Sequence, residues 1–174
     1  MVTPVQPPPE PSNKLTDPRE LLAGYLDFYR DALLRKLDGM PEAALRASAL
    51  PSGWTPLELL KHLTYVEVRW LRWGFAAEEI AVPYGEFGPD DRWHVGEEET
   101  LDELRAAFLD TCERSRRIVG AARLEDFAAE GGRFDEPGQE PSLIWILFHV
   151  LQEYARHLGH LDVVRELADG TIGE

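Results

Sequence analysis

Cysteine is almost missing from this 174-residue chain: Cys112 is the only one, which excludes an intrachain disulfide and any cysteine-cluster metal site. In a plain helical context it reads as a small core residue rather than a reactive thiol. Basic charge is scarce as well. Against 32 acidic residues stand 18 basic ones, a formal net charge of −14 at neutral pH. Such a surface repels phosphate backbones and anionic headgroups, so neither nucleic acid nor a membrane surface is an expected partner. No apolar run approaches the ~18 residues that read as a membrane span. Residues 1–9, MVTPVQPPP, have neither a basic start nor an apolar stretch. They do not read as a secretion signal, and a cytoplasmic location is expected. Glycine-rich phosphate loops, G-x-S-x-G elbows and H-E-x-x-H motifs are all lacking, which removes nucleotide-binding, serine-hydrolase and zincin readings. Strand-like alternation and fixed-period repeats are missing too.

What is present is helical periodicity. Residues 1–16 are rich in proline, offer little to bury and read as a flexible arm. Residues 17–174 read as one domain. Asp17-Pro18 has the form of a helix start, and Leu22, Tyr25, Tyr29, Leu33 and Leu37 then recur at helical steps until Asp38-Gly39. Thr55-Pro56-Leu57-Glu58 has the form of a capping box and opens a second helix to about Phe75. Thr100-Leu101-Asp102-Glu103 repeats that form for a third helix to about Val119, and Pro141-Ser142 starts a fourth that Asp169-Gly170 stops. Residues 80–98 and 124–140 read as long connections. The expected fold is all-α, a four-helix bundle.

Helical wheels give the histidines their meaning. His62 falls among Leu59, Leu63, Val66, Trp70 and Trp73, inside the apolar stripe of the second helix. Glu153 and His157 are four residues apart and share a face with Ile146, Val150 and Leu161 on the last helix. An unpaired carboxylate there would cost several kcal/mol or be forced to protonate. Two imidazoles and a carboxylate from two helices can make a facial triad that binds a divalent metal and leaves positions open for water or substrate. A buried His–Glu hydrogen-bond network without an ion is the other reading of the same spacing. His149 and His160 extend this edge, as a substitute ligand or as orienting partners. His94 reads as a solvated loop residue. Trp70 and Trp73, with Trp145, read as core packing first and pocket wall second. If bound hydroxide did the chemistry, Glu67 or Asp162 would be candidate bases should they reach the pocket.

The run GWTPLELLKHLTYVE (53–67), with Trp70 and Trp73 beyond it, resembles the second helix of DinB-like (YfiT-like) proteins. HVLQEYARHLGH (149–160) is similar to the last-helix signature of an actinobacterial subgroup called DUF664. The likeness extends over about residues 17–174. It implies a four-helix bundle with one divalent metal, zinc first with nickel or iron as alternatives, and a homodimer. Relatives of mycothiol-dependent maleylpyruvate isomerase take their ligands at positions that fall on His62, Glu153 and His157. Many other DinB-like proteins carry a third histidine where this chain has Glu153, so the carboxylate points to the mycothiol-linked side. The isomerase has a further C-terminal domain that this sequence does not contain. The resemblance therefore implies a metal-dependent S-transferase joining a low-molecular-weight thiol, mycothiol, to an electrophilic small molecule. A non-catalytic, stress-related metal-binding module and a metal-dependent hydrolase are the alternatives.

Overall fold

The computed structural model describes residues 9–172. The first eight residues of the expected arm lie outside that range. Within 9–16, a turn closes from Leu15 N to Ser12 O, and Pro11 sits so close to the first helix that a Cβ on Gly24 would meet its ring at 2.9 Å.

Helix α1 (Pro18–Leu37) starts where Asp17 accepts from the amides of Arg19 and Glu20, two donors with no partner inside the helix. It ends at Asp38, followed by Gly39 at φ 72°, a conformation that costs a side-chain-bearing residue far more. A single turn, α2 (Glu42–Leu45), follows; the sequence pattern did not announce it. Helix α3 (Pro56–Glu67) and helix α4 (Leu101–Ala121) both open with complete capping boxes, Thr55/Glu58 and Thr100/Glu103. Helix α5 (Leu143–Asp169) stops at Gly170 with φ 75°. Ser142 holds its N-cap position without a side-chain bond.

The second helix is not one uniform α-helix to Phe75. From Val68 to Phe75 it widens into a π-helix, in which Ala76 N reaches back five residues to Leu71 O at 3.0 Å. Gly74 allows this, because a Cβ there would lie 2.7 Å from Arg69 O. π-Turns are costly and concentrate at functional sites.

Among the described residues there are no strands, only the isolated bridges Phe87–Trp93 and Phe127–Ser142. Helix α1 packs along α5, α3 packs against both α4 and α5, and the π-helical segment touches α4 and α5. Leu33, Leu37, Leu60, Leu63, Phe108, Ile146, Val150 and Leu161 fill the space between them and are fully or almost fully buried. Each contributes roughly 1.5–3 kcal/mol through the apolar surface it removes from water. No helix among the described residues is long and apolar enough to cross a membrane.

The long connection from 76 to 100 folds back over α3. Its tip is a tight reversal held by Gly88 N to Arg92 O (2.7 Å) and His94 N to Glu86 O (2.8 Å). That reversal carries Glu86 and Trp93 to the junction of α3 and α5.

Candidate metal centre

The capping box fixes where α3 begins and thereby aims His62 at α5. On α5, the four-residue spacing stacks Glu153 and His157 on the facing side. One ligand atom from each of His62, Glu153 and His157 lies within 4.8 Å of the others. Nε2 of His157 is 3.3 Å from Glu153 Oε2, and Nε2 of His62 is 3.9 Å from the same oxygen. The His62 imidazole is buried, while Glu153 and His157 keep partial exposure, so one side of the group is open.

These residues fit a cation. Nε2 of His62, the ring nitrogen facing the carboxylate, is buried without a hydrogen-bond partner, an expensive arrangement unless something else meets it. Ligands about 2.0–2.1 Å from a tetrahedral ion stand about 3.3–3.4 Å apart. The pair on α5 already has that spacing, and His62 is half an ångström or so beyond it. Glu153 is held far below the ordinary carboxylate range, first by His157 and next by His62, against its partial burial. It is therefore ionised, as a ligand must be.

His149 touches the other oxygen of the carboxylate, Nε2 to Glu153 Oε1 at 3.3 Å. Its ring is stacked on Trp145 at 5.5 Å and lies 4.0 Å from Trp70. Partial burial lowers its pKa, with Glu153 opposing and the like charge of Arg133 assisting, so it is neutral at pH 7. His160 is exposed, its ring centroid 6.4 Å from that of His157. Trp70 borders the site through His149, whereas the π-turn carries Trp73 to Tyr84, 6.0 Å away. Trp145, read from the sequence as core, is half exposed.

Two other readings are corrected. Glu67 does not reach the pocket as a base. It is fully buried, accepts from Arg30 Nε and Nη2 at 2.9 and 3.0 Å and from the Tyr154 hydroxyl at 2.8 Å, and is committed to that network. Asp162 is paired with Lys36.

Two neighbours escaped the sequence pattern. Trp93 stacks on His62 at 3.9 Å with 19° between the rings and lies 5.4 Å from His157. Glu86, fully buried, has Oε1 3.5 Å from His62 Nδ1. Both come from a stretch with no periodicity, and an acidic residue amid Gly and Pro carries no signal of burial. Trp93 also lines a cleft of about 230 Å³ with Trp54, Glu58 and Phe87. A larger cavity of about 520 Å³, among Lys61, Tyr65, Val68 and Thr111, is lined by none of the three cluster residues.

The fold and the cluster together define an all-α protein with two histidines and a carboxylate grouped as they could hold a metal ion. Residues 21–170 match the model of the mycothiol-S-transferase family. The chain belongs to that family, within the DinB-like superfamily. No curated protein matches the chain.

Proposed function

We propose that this chain is a metal-dependent transferase that conjugates mycothiol to a small electrophile, with His62, Glu153 and His157 holding the ion. The observation that carries the reading is the convergence of those side chains, with the metal-facing nitrogen of His62 unpartnered, in a chain of the mycothiol-S-transferase family. Two imidazoles and a carboxylate suit zinc best, with nickel and iron as acceptable alternatives. A divalent ion bound there supplies Lewis acidity, which lowers the pKa of a thiol that reaches it so that sulfur is nucleophilic at neutral pH.

The chain's own residues set the conditions. Its only cysteine is buried in the core, and burial, aided by Glu67, pushes the thiol pKa well up. The protein's own sulfur is therefore not the nucleophile, and a thiol co-substrate must provide it. Partial exposure of Glu153 and His157 leaves a way in, while Trp93, Trp70 and Trp145 keep its flanks aromatic. In the reaction the thiol loses its proton to solvent and its sulfur forms a bond to the electrophilic carbon. The bond from that carbon to the leaving group breaks, and the leaving group keeps the electron pair.

The test mixes zinc-loaded protein with mycothiol and 1-chloro-2,4-dinitrobenzene and follows the thioether by absorbance. The wild-type protein is expected to exceed the uncatalysed rate, and His62→Ala to fall to it. Equal rates for the two proteins would refute the proposal.

A further inference from the structure

Glu86 stands out as a carboxylate with no access to solvent whose charge is only half answered. Arg69 Nη1 donates to Oε1, but Oε2 is buried with no partner. An ionised carboxylate has about four acceptor positions, and a buried oxygen left empty is costly. A second unanswered polar atom faces the same carboxylate: Nδ1 of His62, itself buried and unpartnered, lies 3.5 Å from Oε1.

Resting on the reading of His62 as a ligand, we propose that Glu86 is a positioning residue for that imidazole. It accepts the Nδ1 proton and so presents Nε2, free of hydrogen, toward Glu153 and His157.

The surroundings make this a built arrangement. Glu86 is anchored through its backbone carbonyl to His94 N at 2.8 Å, and its neighbour Phe87 bridges to Trp93. Trp93 in turn lies flat on the imidazole. The indole therefore sets the plane of the ring, and the carboxylate sets which edge carries the proton. Arg69 is held in place by the face of Tyr84, 5.1 Å away, and pairs with Glu86 in a dry position. A histidine whose far nitrogen donates to a carboxylate is both oriented and more basic toward a metal, an effect worth about 10–100-fold in affinity.

The experiment has two readouts, neither of them turnover. In metal-free protein at mildly alkaline pH, ¹⁵N shifts of the histidine ring report which nitrogen bears hydrogen. Wild type is expected to show His62 protonated at Nδ1. The double variant Glu86→Leu/Arg69→Met, which removes both buried charges so that neither is stranded, is expected to shift toward the Nε2-protonated form. Competition against a chelator then measures zinc affinity. The double variant is expected to lose about 10–100-fold, and Glu86→Gln, whose amide oxygen still accepts, to recover part of it. In a His62→Ala background the same double change is expected to be silent. Far-UV circular dichroism and metal-free thermal unfolding establish that each variant folds. Zinc affinity within twofold of wild type, or an unchanged Nδ1–H tautomer in the double variant, would overturn the proposal. Failure of the wild-type protein to bind zinc would refute the metal reading, yet leave the tautomer result standing on its own.

Discussion

Glu67 offers a sharp test of whether a buried acid on the helix that carries His62 serves chemistry or the core. Replace it with alanine. Its two oxygens receive Arg30 at 2.9 and 3.0 Å and Tyr154 at 2.8 Å, all without access to solvent. Burial alone would lower the pKa of Arg30, but Glu67 together with Tyr154, Cys112 and Asp27 more than offsets it, and the guanidinium is held well above its ordinary value. Removing the carboxylate strands that charge, with only the half-exposed Asp27 left at 2.8 Å. Breaking a buried pair from one side costs about 3–5 kcal/mol. For a domain of this size each kcal/mol lowers Tm by about 2–4 °C, so the expected drop is about 6–20 °C. The triple variant Arg30→Met/Glu67→Leu/Tyr154→Phe removes the three buried partners together and is expected to regain most of the loss. Thermal unfolding of metal-free protein measures both, and thioether formation per folded molecule measures activity. A Glu67→Ala protein with unchanged Tm and abolished turnover would show that the reasoning is wrong and that Glu67 acts in the reaction.

Zinc at about 100 times its Kd is expected to raise Tm by about 5–11 °C, the equivalent of about 2.7 kcal/mol. Glu153→Ala is expected to abolish that shift, and an equal shift in the variant would place the ion elsewhere. Alkaline pH is expected to weaken the fold. The Cys112 thiol is raised by burial above its ordinary 9.0, so it stays protonated when folded but ionises from about that pH when unfolded. Its contribution is thus full below pH 9 and declines above it. Urea midpoints across that range should fall more gently in Cys112→Ala, and an unchanged slope would contradict the assignment. Gly74→Ala drives a Cβ against Arg69 O at 2.7 Å and is expected to cost about 1–3 kcal/mol. Gly120→Ala, in α4 with nothing within 4 Å, is expected to gain up to about 1 kcal/mol. Denaturant unfolding of the two compares a strained glycine with a free one.

Much of the molecule was legible in the order of residues because the responsible forces are local. Thr55 with Glu58, and Thr100 with Glu103, satisfy amides within one turn, so they mark helix starts with no help from elsewhere. Gly170 ends α5 for an equally local reason, its positive φ. The four-residue step that stacks His157 on Glu153 is a property of any α-helix. The apolar neighbours of His62 placed it correctly in the interior. Other features depended on contacts across the fold. The π-turn needs the room at Gly74 and the packing around it. It swings Trp73 away to Tyr84, a divergence that a wheel drawn at α-helical pitch does not contain. Glu67 reads as a candidate base until Arg30, 37 residues earlier, is seen to pair with it. Glu86 and Trp93 belong to an aperiodic stretch, and only the reversal that brings them over α3 gives them a role. Short-range hydrogen bonding and helical pitch are written residue by residue. The meeting of side chains far apart in the chain is decided by which surfaces the helices bury against one another.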